Sequence, residues 1–164
     1  MSLKNISISP FFLAQLYKVP IIPDKLDDNR TEQLPPLSYL GNNQKNITVF
    51  IENNKNTWLP EDLFTLLTNI LNACHWSLED IALVNVSSYP DGDFTYFKHE
   101  LNPEKVILLG SGFEKWSGNH LEKNNIQLID RCTYLWSDSL QLMQEDIDCK
   151  KLFWKGLQDL LNLK

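Results

Sequence analysis

The chain has 164 residues but only three cysteines, Cys74, Cys132 and Cys149, and no two of them form a CxxC pair. That excludes a disulfide framework and a four-thiolate metal site, and it fits a reduced, cytoplasmic setting. Basic residues are also scarce, fifteen against twenty-one acidic ones, for a net charge of −6. No block of Lys and Arg is long enough to follow a phosphate backbone, so direct tight binding to nucleic acid is not expected. Long apolar runs are missing too. Nowhere do eighteen uncharged apolar residues follow one another, and the opening MSLKNISISPFFLAQLYK lacks the apolar core of a secretory signal, so no membrane association is expected.

With only six glycines, the chain has neither a GxGxxG fingerprint nor a Gly-Lys-Ser/Thr phosphate loop. Gly110-Ser111-Gly112, in EKVILLGSGFEKW, comes nearest, but it lacks the third glycine and follows a late strand; it reads as a strand-to-helix turn. Ser111 is not in a GxSxG elbow. His75, His99 and His120 have no second ligand at HxxxH spacing, so neither a metal nor a cofactor is expected. Asp91 and Asp93 flank Gly92 in an ordinary Pro-Asp-Gly-Asp surface turn. Trp58, Trp76, Trp116, Trp136 and Trp154 are scattered along the chain, which suits packing better than a stacking platform.

What is present divides near residue 46. Residues 1–46 hold five of the eight prolines, the polar stretch DKLDDNRTEQ and a GNNQKN loop, and read as an extended arm. Within it Pro10 can open a short helical patch, with Phe12 and Leu16, and Leu13 and Tyr17, each four apart. Together with Phe11 these residues form an apolar surface that either packs on its own domain or docks on a partner.

Residues 47–164 alternate between strand and helix patterns. Ile47–Ile51, Ile81–Val86, Lys105–Leu109 and Ile126–Ile129 are short apolar runs typical of buried strands. Pro60 precedes a helix ending near Cys74, with Leu63, Leu66, Leu67, Ile70 and Leu71 on one face. A short helix follows over Phe94–Leu101, and an amphipathic one closes the domain over Asp148–Leu161. The spacing predicts a three-layer α/β/α domain with a four-stranded, mostly parallel sheet.

The order of these segments resembles the uracil-DNA glycosylase superfamily over residues 47–162. The stretch LLTNILNACHWSLEDIALVNVSSYPDGD is similar to that family's helix, acidic turn and strand, EKVILLGSGFEKW to the strand that follows, and SLQLMQEDIDCKKLFWKGLQDLL to its closing segment. Active members carry a Gly- and Pro-rich loop after the first strand, with an acid or Asn that positions the hydrolytic water and an aromatic that stacks on the flipped base. Here Glu52-Asn53-Asn54-Lys55-Asn56-Thr57 stands there instead. They also carry a His-Pro-Ser-like loop before the last helix, whose His stabilises the departing anion. Here Tyr134–Ser139 supplies neither His nor Pro.

A catalytically empty version of that fold is the family of psi subunits of bacterial DNA polymerase III, clamp-loader accessory proteins with a docking N-terminal peptide and a body that binds the chi subunit. The present chain is similar in size, acidity and its apolar arm. The resemblance implies a non-enzymatic subunit whose arm, Phe11, Phe12, Leu13, Leu16 and Tyr17, binds a clamp-loader or chi-like protein. It also implies a vestigial pocket near Asn53, Asn85, Gly110, Ser137 and Asp138. The alternatives are a divergent glycosylase-type or nucleotide-binding enzyme, which needs a polar crevice at those residues, and an interaction protein unrelated to replication.

Overall fold

β-Branched and aromatic residues at Ile47–Ile51 disfavour helix and suit a pleated strand buried on both faces. In the computed structural model, which describes residues 36–114, 116 and 118–162, this strand, β1, is one of the two inner strands of the parallel part of the sheet. The other elements are α1 (Glu61–Ala73), β2 (Ile81–Asn85), α2 (Phe94–Leu101), β3 (Lys105–Leu109), β4 (Ile126–Ile129), β5 (Cys132–Ser137), α3 (Leu140–Glu145) and α4 (Ile147–Asn162). Strand order is β2-β1-β3-β5-β4; every neighbouring pair is parallel except β4 with β5. All described residues belong to one compact unit spanning Leu34–Lys164.

The pleat divides the core in two. Ile47, Val49, Ile51, Ile107, Leu109 and Leu135 face α1, α3 and α4, where they meet Leu67, Ile70, Met143, Phe153 and Leu157. Phe50, Val84, Val106, Leu108 and Tyr134 face the opposite way, toward Phe94, Phe97 and Leu101 of α2 and toward Phe113 and Leu121. On this second side Trp116 lies edge-on to Phe50, with ring centroids 4.5 Å apart, and Phe94 and Phe113 pack against the same indole. The protein is therefore a mixed α/β fold with helices on both faces of a mostly parallel sheet.

The expected sheet of four strands is corrected to five. Cys132–Ser137 is a strand, not a loop, and it supplies the parallel neighbour of β3, while the expected fourth strand, β4, is an antiparallel edge. The two form a hairpin around Asp130 and Arg131, both at positive φ (50° and 67°). Two-residue hairpins need that geometry because it matches the strand twist, and they usually advertise it with Asn-Gly. Asp-Arg gives no such signal. After Gly110-Ser111-Gly112 the chain continues through turns, without a helix among the described residues, so the strand-to-helix expectation is also corrected.

Residues 36–46, read from sequence as the end of the arm, are tied to the sheet. Leu40 exchanges two main-chain hydrogen bonds with Leu83 of β2, at 2.9 and 2.8 Å, and so covers that edge. Gly41 follows at φ 106°, where a Cβ would lie 2.2 Å from the Ile81 carbonyl; only glycine fits. The Ser38 N–H donates to the Tyr89 hydroxyl at 2.6 Å.

Candidate functional site

In an open parallel sheet, ligands gather at the carboxyl ends of the strands where the strand order reverses. Here the chain moves from β1 outward to β2 and then crosses back to β3, so the reversal falls between β1 and β3. A cleft of ≈ 750 Å³ opens at that place, bounded by Glu52, Asn53, Gly110, Asp138 and residues at the starts of α1 and α3. Its charged residues are Glu52, Asp62, Asp138 and Glu145 against the single ammonium of Lys55. Asp138 is paired with Lys123, which leaves a net negative lining of Glu52, Asp62 and Glu145.

The strand-end polar groups are largely spent on the protein itself. Asn85, only 3% exposed, ends β2. Its Oδ1 accepts from the N–H groups of Asn53 (3.1 Å) and Ser87 (3.2 Å), and the two hydrogens of its Nδ2 are shared among the carbonyls of Asn53 (2.9 Å), Asn56 (3.1 Å) and Thr57 (3.1 Å). The amide thereby holds the β1–α1 loop against the end of β2. Ser137, fully buried at the end of β5, donates from Oγ to Asn124 Oδ1 at 2.6 Å, and Lys123 forms an ion pair with Asp138. The Trp136 indole N–H donates to the Gly110 carbonyl at 2.8 Å, and the Gly110 N–H donates to the Ser137 carbonyl at 3.2 Å.

The glycine turn has its own anion. The Gly112 N–H points at Glu52 Oε2, 3.4 Å away, so a carboxylate from the end of β1 stands where a bound phosphate would have to sit.

The structure thus groups Asn53 with Asn85, and Gly110 with Ser137. Asn53, Gly110 and Asp138 line the main cleft, while Asn85 borders a smaller hollow of ≈ 290 Å³ beside Asn53 and Ser87. Phe11, Phe12, Leu13, Leu16 and Tyr17 lie outside the described residues. Sequence reasoning passed over Glu52, Asp62, Lys123, Asn124 and Glu145. Only Glu52 carried a usable signal, its place directly after β1.

The remaining polar candidates have structural roles or lie apart. Asp93 Oδ1 caps α2 by accepting the Tyr96 N–H at 2.9 Å. His99 and His120 are exposed, beside Glu100 and Glu114 respectively, and His75 sits at φ 58° just past α1. Among the described residues no three His, Cys, Asp or Glu side chains are placed to hold a metal ion. Burial pushes the Cys132 thiol up to about 11 and raises the Tyr134 hydroxyl well above the usual tyrosine range. Both belong to the core on the α2 side and not to the cleft. No helix among the described residues is long and apolar enough to cross a membrane.

Compared with known protein families and with curated proteins, the sequence matches no family model and no curated protein.

Proposed function

We propose that the chain is a non-catalytic protein–protein interaction subunit with a uracil-DNA glycosylase-like α/β body, akin to the psi subunits of the DNA polymerase III clamp loader. One observation carries this reading: the polar groups at the carboxyl ends of the strands are bonded to the protein's own chain. Asn85 and Ser137 are buried and hydrogen-bonded within the chain, and Glu52 lies against the Gly112 N–H. A hydrolase needs such groups directed at a substrate and a water. In this reading Phe11, Phe12, Leu13, Leu16 and Tyr17 are the anchors for a clamp-loader or chi-like protein, since buried aromatic and aliphatic anchors dominate interface energies.

The cleft between β1 and β3 favours a second reading, a divergent glycosylase-type or nucleotide-binding enzyme, because of its position. Its net negative lining opposes an anionic substrate.

The test is affinity purification of the tagged full-length chain from its native cells. Clamp-loader subunits should co-purify, and the double substitution Phe12→Asp, Leu16→Asp should abolish their recovery while leaving the melting temperature unchanged. A purification that brings down no clamp-loader subunit overturns the reading.

A further inference from the structure

A second surface lies on the body of the protein, next to the cleft: its lining begins at Leu66, one turn beyond Leu63 of the cleft. Helices α1 and α4 cover the same face of the sheet but make little direct contact with each other, and a groove of ≈ 410 Å³ runs between them. Each helix turns a two-turn ridge toward it. From α1 come Leu66, Asn69, Ile70 and Ala73, and from α4 come Ile147, Lys150, Lys151 and Trp154. Both sets follow the i, i+3, i+4, i+7 spacing of one helical face. The floor is apolar and rigid, since Ile70 and Phe153 are core residues exposed by only 7% and 2%. At the end of the groove Ile147 is 69% exposed, which leaves a large aliphatic side chain in water.

The charges on the groove are of one sign. The chain as a whole carries −6, and the cleft between β1 and β3 is lined by four carboxylates, yet among the described residues the charged ones lining this groove are Lys150 and Lys151. Lys151 lies 3.7 Å from Asp148, and Lys150 has no ion pair among the described residues. An apolar trough between two helical ridges fits a third helix laid into it, with apolar side chains pointing to the floor. Two lysines on one rim select a helix that carries carboxylates along that side and reject one that carries ammonium groups.

We propose that the α1–α4 groove is a docking site for an acidic amphipathic helix of a partner protein, anchored on Ile147 and Trp154 above a floor of Ile70 and Phe153 and oriented by Lys150 and Lys151. This site does not depend on the clamp-loader reading, because it involves neither the arm nor any named partner.

The test uses the full-length chain and two fluorescein-labelled helical peptides. Both have leucines at three- and four-residue spacing; one carries glutamates beside the leucine stripe, and the other carries lysines there. The glutamate peptide should bind saturably, more weakly as salt rises, and at least about tenfold more tightly than the lysine peptide. The double substitution Lys150→Glu, Lys151→Glu lies on an exposed surface and should reverse that preference. Ile147→Asp should weaken both peptides. Equal binding of the two peptides, no saturable binding, or a preference unchanged by the charge reversal overturns the proposal. So does concentration-dependent self-association that Ile147→Asp dissolves, which would assign the groove to a second copy of the chain.

Discussion

The side-chain amide of Asn85 and the main chain of Asn53, thirty-two positions apart, exchange two hydrogen bonds, 3.1 Å from the Asn53 N–H to Oδ1 and 2.9 Å from Nδ2 to the Asn53 carbonyl. The amide acts as one more residue of strand ladder beyond the end of β2. Replacing it with leucine leaves two N–H groups and three carbonyls to find other partners. Asn85→Leu should therefore destabilise the fold by about 2–4 kcal/mol. Urea unfolding followed by circular dichroism measures this; a loss below about 1 kcal/mol would mean that water replaces the amide at little cost.

Thr48, the second residue of β1, is completely buried, and its Oγ1 has no hydrogen-bond partner among the described residues. Valine has nearly the same shape and no hydroxyl to desolvate. Thr48→Val should stabilise the protein by about 1 kcal/mol, read as a higher urea midpoint at unchanged slope. A lower midpoint would show that the hydroxyl is bonded in solution.

Gly156 lets α4 approach β5 closely: a Cβ at that position would lie 2.7 Å from Leu135 Cδ1. Alanine is the better helix former by about 1 kcal/mol, but the overlap costs about 1–3 kcal/mol. The expected outcome for Gly156→Ala is a net loss that Leu135→Val partly restores in the double variant. Strict additivity of the two substitutions in thermal unfolding would contradict a direct contact.

Cys132 is held in its protonated form by burial, with its pKa pushed up to about 11 from an ordinary value of 9.0. The unfolded thiol therefore ionises first. Its contribution to stability is complete below about pH 9 and is lost as pH rises toward 11. Cys132→Ala should flatten the fall in melting temperature between pH 8.5 and 10.5, on the order of two units of pH. In the native protein a thiol reagent at pH 8 should modify Cys149, which is partly exposed, well before the buried Cys74 and Cys132.

The uneven legibility of the sequence has physical causes. β1, β2 and β3 are buried on both faces, so continuous apolar runs mark them, and α1 and α4 are marked by their one-sided leucines. β5 alternates small, polar and aromatic residues in CTYLWS and enters from a hairpin turn with arginine at positive φ, so neither composition nor turn chemistry marked it. At the candidate site, strand ends could be located, which placed Asn53, Asn85 and Gly110 at one end of the sheet. Which groups bond to which could not be read, because the pairing of Asn85 with Asn53 and of Ser137 with Asn124 depends on loop paths set by tertiary packing.

The position of β1 also has a consequence for synthesis of the chain. Among the described residues it is the first strand to be made, yet its neighbours begin 34 and 58 residues later. At ribosomal rates of about 5–20 residues per second, the edge that takes β2 stays open for roughly 2–7 s and the edge that takes β3 for roughly 3–12 s. During that interval the apolar Ile47–Ile51 segment has no sheet to join, and a nascent-chain chaperone would find its clearest target there.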